Sequence, residues 1–384
     1  MLIYPSSQDV YPIGSMIRSQ APPNNKWERC YGQIVAQADY SKLYNMMLNP
    51  HSLRWSNWEY KYMFTVNDPS FTAMLFNGSV YVAFGYGILA YSSNLEDWTE
   101  VTRTGYWYGG AVGGSTFLIV SYNSTNAATS SNGVDWVSKT LPASKYWYWC
   151  CWDGTYFYVT ASSGYNKIIR STDGTAWVEI AGPSSDTSGY MGYSGIVSDG
   201  DGTIVALHNA SAIGTSVDSG VTWRVITSPS SVKSLDYVNG RFIVACWNGC
   251  IGVSEDGFEW EYVQTFATDK TFFNTSVEAN APSKWVYSNN MYLGIDGQDS
   301  SIRFMLYSYD LKTFYPILKP TDGDRYNRDA IWDSANQRWF MIGPYNGVVN
   351  YLIECAYDKN THFQFPLTGG HRQEQGEQWY IRVR

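Results

Sequence analysis

The chain has 384 residues and a formal net charge of −8, from 26 basic and 34 acidic side chains. That length exceeds one ordinary core and suits a repeat architecture or two to three domains. With 32 Tyr, 17 Trp, 16 Phe, 34 Gly and only 16% charged residues, the composition points to β structure, and the acidic balance argues against nucleic acid as a partner.

In chain order, the first segment, 1–54, contains Tyr11-Pro-Ile-Gly14-Ser15, then Trp27-Glu-Arg-Cys30-Tyr-Gly32, then Tyr40-Ser-Lys-Leu43-Tyr44. Met1–Gln20 lacks the basic-then-apolar order of a signal peptide, and no apolar run reaches the roughly 20 residues of a membrane span. Synthesis in a cytoplasm without standard export is therefore expected. Next comes Trp55-Ser-Asn-Trp58-Glu-Tyr60-Lys-Tyr62-Met-Phe64, which alternates aromatic and polar residues in places and reads as a strand free to pair with a distant edge.

From residue 77 onward two signals recur. The first is a hairpin dipeptide before an apolar strand: Asn77-Gly78, Gly113-Gly114, Asp153-Gly154, Asp201-Gly202, Asn239-Gly240, Asn289-Asn290 and the looser Asn336-Gln337. The second is a Ser-x-Asp/Asn turn closed by an aromatic. Its copies run from Ser92 through Asn94 to Trp98, Ser130 through Asn132 to Trp136, Ser171 through Asp173 to Trp177, and Ser216 through Asp218 to Trp223. Two more run from Ser254 through Asp256 to Trp260 and from Ser308 through Asp310 to Phe314, and a degenerate seventh runs from Ala356 through Asp358 to Phe363. The aromatics lie 38, 41, 46, 37, 54 and 49 residues apart, the period of a four-stranded blade.

These turns resemble the Asp-box, the sialidase-type bacterial neuraminidase repeat between the third and fourth strands of propeller blades. The resemblance implies scaffold roles. The carboxylate or amide accepts turn N–H groups and the aromatic packs between blades, so none of these acids is read as catalytic. The expected fold is all-β: a seven-bladed β-propeller over 55–362, closed by the strand at 55–64.

The C-terminal segment, 363–384, holds Phe363-Gln-Phe365-Pro366-Leu367 and ends in Tyr380-Ile-Arg382-Val383. Together with the motifs of 1–54, these residues resemble the phage tail-collar pattern of tail-fibre proteins, although Asn24-Asn25-Lys26 replaces the usual Pro-x-Gly before Trp27. The resemblance implies a small collar-like domain built from both ends, with Phe363 claimed both by it and by the seventh blade. The alternative reading is a segment that caps the propeller.

In a four-stranded blade the second-to-third loop and the connection to the next blade share one face, opposite the Asp-box turns. That face carries Tyr86, Tyr122, Tyr165, His208, Trp247 and Tyr345 in loops. Its connections contain Tyr106-Trp107-Tyr108, Tyr146-Trp147-Tyr148-Trp149 and Tyr190-Met-Gly-Tyr193. Rings with polar handles stack on sugars and anchor interfaces. The ligand-contact candidates are Tyr86, Tyr106, Trp107, Tyr108, Tyr122, Trp147, Tyr165, Tyr190, Trp247 and Tyr345; packing of the inner strands is the competing role.

A sialidase would need an arginine triad and a Tyr–Glu pair. Arg170, Arg224, Arg241 and Arg303 instead abut Asp-box strands or hairpins, and the four histidines show no metal spacing. Asp296 to Ser301 could chelate calcium but reads as a solvated hairpin. Cys30, Cys150, Cys151, Cys246, Cys250 and Cys355 form no zinc pattern and read as buried thiols, with a Cys246–Cys250 hairpin pair as the alternative. No cofactor, metal or catalytic residue is expected.

The resemblance of the ends implies a bacteriophage virion tail protein. The expected role is a receptor-binding adhesin recognising host-surface glycan or an outer-membrane protein, with other tail proteins as partners. An architectural tail component and a sialidase-like glycosidase are the alternatives.

Overall fold

In the computed structural model, antiparallel strands follow one another in short hairpins, and the described residues contain no helix. The described residues are 16–19, 27–29, 34–36, 55–64, 70–101, 103–161, 167–183, 193–208, 211–265, 282–295, 304–318, 327–343, 348–354, 362–364 and 378–382. The chain divides into two compact units: one of Asn57–Thr268 with Ser276–Ile353, the other drawn mainly from Met1–Ser56 and Glu354–Arg384.

The larger unit is an all-β propeller of six hydrogen-bonded sheets. Sheet I comprises Ser70–Phe76, Tyr81–Tyr86, Leu89–Ser92 and Thr99–Glu100. Sheet II has six strands: Trp107–Gly113, Thr116–Ser130, Val137–Trp152, Phe157–Ala161, Lys167–Ser171 and Val178–Ala181. Sheets III to V are four-stranded and begin at Tyr193–Ser198, Val232–Val238 and Lys284–Ser288. Sheet VI joins Asp329–Asp333, Arg338–Ile342 and Val348–Glu354 to Trp55–Tyr62, so the early aromatic strand supplies the outermost position of the last sheet.

The expectation of seven separate blade sheets is corrected: six sheets are present, because the second and third sequence units share sheet II. Two unusually long strands, of 15 and 16 residues, cause this by pairing directly, through Asn126↔Thr140 to Thr129↔Val137 and again at Tyr122↔Tyr146. Register shifts at Tyr122/Ser124 and Ser124/Asn126 interrupt the ladder between these two stretches.

The strands Phe157–Ala161, Ile204–His208 and Met291–Ile295 are buried on both faces, and each is a largely apolar run. The turn aromatics join neighbouring sequence units. Trp136 packs against the cluster that includes Val82 and Phe84 of sheet I, Trp223 against the cluster that includes Tyr158 and Ile168 of sheet II, and Trp260 against the cluster that includes Val205 and Leu207 of sheet III. Trp177 packs against the sheet II cluster that includes Leu118 and Val120, and Phe314 meets Trp285 of its own sheet at 6.0 Å.

Five of the described turns share one geometry, and the Asp218 turn, one residue longer, shifts its bonds by one position. In the fifth copy the Ser254 hydroxyl accepts the Gly257 N–H at 2.8 Å, while Asp256 Oδ1 accepts those of Phe258 and Glu259 at 2.8 and 3.0 Å. Asn94 and Asn132 accept two amides each at 2.9 Å, so the amide oxygen replaces the carboxylate without loss of acceptor geometry. Asp218 accepts from the Thr222 hydroxyl and backbone and from the Val221 amide; these bonds, the hydroxyl first, hold its carboxyl down at about 2. Such acids are turn staples.

In the smaller unit, Gln378–Arg382 lies between Met16–Ser19 and Trp27–Arg29, and His362–Gln364 pairs with Ile34–Ala36. Phe363 thus stands opposite Val35, in an end sheet and not in sheet VI. The degenerate seventh turn, Tyr165, Tyr190, Tyr345, Arg303, Cys30, Cys355 and the loop from Asp296 to Ser301 lie outside the described residues.

Candidate functional site: a tyrosine surface

Two triplets of sequence build the site. In a strand, successive side chains point to opposite faces. In Tyr106-Trp107-Tyr108 the central indole is 2% exposed and packs with Val82, Phe84 and Phe117. In Tyr146-Trp147-Tyr148 the central indole is fully buried and donates from Nε1 to the carbonyls of Ser124 and Ala143, both at 3.1 Å. Trp107 and Trp147 are therefore core residues, and their assignment as ligand contacts is corrected by this alternation. The flanking tyrosines face the other way.

These flanking rings assemble with Tyr86 and Tyr122. Tyr122 is the hub, with ring centroids 5.3 Å from Tyr106, 5.8 Å from Tyr108, 4.9 Å from Tyr146 and 5.3 Å from Tyr148. Tyr86 meets Tyr106 at 4.9 Å, Tyr108 meets Tyr148 edge-on at 4.2 Å, and Trp149 stacks behind Tyr148 at 4.8 Å. Six tyrosines from sheets I and II thus make one continuous surface. Tyr86 is 58% exposed and Tyr146 39%, while the other four are half-buried.

The backbone beneath holds the rings in place. The Tyr106 carbonyl accepts the Tyr122 N–H at 2.7 Å and the Ser121 hydroxyl at 3.2 Å, and Tyr86 and Tyr106 form a β-bridge. Asn123, at φ 51°, turns the strand immediately after the hub. Gly109 lets the strands approach: a Cβ there would lie 2.5 Å from the Tyr148 carbonyl oxygen.

Burial pushes the Tyr148 hydroxyl well above the usual phenol range, with Tyr108 and Tyr122 adding to it. Burial also raises Tyr106, assisted by Tyr108 and opposed by the Arg328 guanidinium. Arg328 lies 5.9 Å from the centre of the Tyr108 ring. These hydroxyls stay protonated at neutral pH, as donors and acceptors on an aromatic floor. The arrangement suits stacking and hydrogen bonding.

Trp247 is 40% exposed on a loop of sheet IV, with the Lys233 ammonium 5.1 Å from its ring, and makes no ring contact with the tyrosines. His208 is fully buried. Tyr146 and Tyr148 belong to the site; the sequence placed them on this face but not among the ligand-contact candidates, and the period-two alternation around Trp147 was the signal that could have found them.

Inside the ring, the first strands of all six sheets line a cavity of about 640 Å³. Lys284 pairs there with Asp329, whose Oδ2 also accepts the Met74 N–H at 2.8 Å, and Asp236 Oδ2 accepts the Trp285 N–H at 3.0 Å. Each acid ties one sheet to the next. Asp236 keeps some solvent contact along the channel but is surrounded by protein, and this burial raises it to about 7 against the pull of Lys284.

The named arginines are engaged at the periphery: Arg170 with the Ser219 carbonyl and Tyr156, Arg224 with Glu259 at 3.0 Å, and Arg241 with Glu255 at 2.8 Å. Cys150, Cys151, Cys246 and Cys250 are free thiols, and burial pushes Cys250 up to about 11. Among the described residues no cluster of three His, Cys, Asp or Glu side chains is placed to hold a metal.

No known family model matches the chain, and no curated protein does. Solved structures with a similar fold include YCF48 bound to D1 peptide, at 14% identity and TM-score 0.58, matched over 80% of this chain and 100% of that one. Virginiamycin B lyase from Staphylococcus aureus is similar at 11% identity and TM-score 0.63, over 78% and 99%. The Cps50 (Swd1) β-propeller domain of Myceliophteria thermophila is similar at 9% and 0.58, over 77% and 100%. At these identities the likeness is one of fold.

Proposed function

We propose that the chain is a non-enzymatic binding propeller of a bacteriophage tail, which attaches to a host-surface glycan or outer-membrane protein through the tyrosine surface. The observation that carries the reading is the ring of contacts around Tyr122. Six tyrosines share one surface, and the backbone beneath them is already hydrogen-bonded. Pre-ordered aromatic floors bind with little entropic loss. The tail assignment is supported by the tail-collar-like residues of the two ends, which in this reading belong to one small collar-like domain that docks on other tail proteins.

In the same reading sheet II is two blades run together, making seven. The interruption at Tyr122 to Asn126 falls where the second-to-third loop of a blade belongs, and the hairpin from Asn126 to Thr140 carries the Asn132 turn.

Purified protein should adsorb to cells of the phage's host and block infection. If it does not adsorb, and tails fail to assemble in its absence, an architectural role replaces this one. Release of sugar from host polysaccharide by the purified chain would replace it with a glycosidase.

A further inference from the structure

The tyrosine surface carries a cation, Arg328, that no described residue pairs with. Arg328 immediately precedes the first strand of sheet VI, with its own N–H held by the Ile342 carbonyl at 2.8 Å. Its guanidinium stands against Tyr108 and acts electrostatically on Tyr106. Its Nε is buried without a hydrogen-bond partner, and it forms no ion pair with any described residue. Asp329, the next residue, is already held by Lys284 and the Met74 amide.

The leading influences on Tyr106 and Tyr148 are burial and neighbouring tyrosines, with Arg328 acting on Tyr106. In a chain of net charge −8, Arg328 makes this a locally positive spot among the described residues.

A buried N–H without a partner costs free energy that a ligand can recover. A guanidinium is a planar fork matched to a carboxylate or phosphate, and the bond is strongest where water is excluded. We infer that the tyrosine surface takes an acidic saccharide, with sugar faces stacked on Tyr122 and its neighbours and the acid group on Arg328. The inference rests on reading that surface as a saccharide site. A neutral sugar hydroxyl can accept a hydrogen bond from the guanidinium, but only an acid group also neutralises its charge and matches its planar fork.

The test is titration of the full chain, followed by tyrosine fluorescence and calorimetry, with three probes of equal length: oligogalacturonate, oligosialic acid and neutral malto-oligosaccharide. The expected result is at least tenfold tighter binding of one acidic probe than of the neutral one, weakening as NaCl is raised. Arg328→Gln should erase that preference while near-UV circular dichroism stays unchanged. Equal binding of acidic and neutral probes, or a preference that survives Arg328→Gln, would overturn the acidic-ligand inference and leave the saccharide surface standing. Binding of no probe, with adsorption to cells abolished by protease treatment of those cells, would overturn both in favour of a polypeptide receptor. Should Arg328→Gln not fold, Arg328→Lys serves: it keeps the charge but loses the fork, and should lower affinity for the acidic probe alone.

Discussion

Trp98, from the first Asp-box turn, stacks on Phe340 of sheet VI, with ring centroids 5.5 Å apart and planes inclined by 22°. This contact is the seam where the last sheet meets the first. Phe64, Phe71 and Tyr351 complete the cluster, and Arg338 crosses the seam to Glu96 while holding Asp333 at 3.1 Å. Phe340 is fully buried, so Phe340→Ala should cost about 3–5 kcal/mol in urea unfolding, the usual range for emptying a packed aromatic site. A cost below about 1 kcal/mol would mean that the seam contributes little to closure.

The Asp-box acids should behave as scaffold. Asp256→Ala removes the acceptor of two turn amides, Phe258 and Glu259, and is expected to cost about 1–2 kcal/mol, as loss of a helix cap does. Adsorption to cells, measured at a temperature where the variant is folded, should be unchanged. Asp256→Asn should retain most of the stability, since Asn94 and Asn132 already play the part.

Gly109 sets the spacing of the tyrosines. Gly109→Val would drive a side chain against the Tyr148 carbonyl, so the two strands must part. Overpacking of this kind costs about 1–3 kcal/mol. The near-UV circular dichroism of the tyrosines should change, because the 4.2 Å contact of Tyr108 with Tyr148 is lost.

Asp236 predicts a pH dependence of stability. Its carboxyl is raised to about 7 in the folded chain from the usual unfolded value of about 4. Between those values the folded state binds more protons than the unfolded state, so this group lowers stability as pH rises from about 4 to about 7 and is flat beyond. Asp236→Asn should remove that falling limb, gaining melting temperature relative to wild type at pH 8 more than at pH 5. A parallel pair of pH profiles for the two proteins would refute the role assigned to Asp236.

Much of the propeller was legible because its turns are local. A Ser, an Asp or Asn two residues on and a closing aromatic fix their own hydrogen bonds within seven or eight residues, so they repeat visibly. The merging of two units into sheet II was not legible, since it depends on whether two long strands stay paired through the bulge at Tyr122 to Asn126, which is a matter of tertiary register. For the site, the sequence located the aromatic face but could not tell a ring that looks outward from one that packs inward. Trp107 and Trp147 were candidates for the polar handle on their rings, as Tyr106 and Tyr108 were, yet the strand phase set by the apolar residues below turns them inward and leaves Tyr146 and Tyr148 outside. Arg328 was not legible, because nothing in its sequence neighbourhood shows that it reaches tyrosines more than 200 positions away.

The most direct test of the central claim compares adsorption of wild type, Tyr122→Ala/Tyr148→Ala and Asp256→Ala to host cells, with circular dichroism confirming the fold of each. The account predicts that the double tyrosine variant loses at least tenfold in adsorption and in blocking infection, while Asp256→Ala matches wild type. Equal adsorption by all three would contradict it.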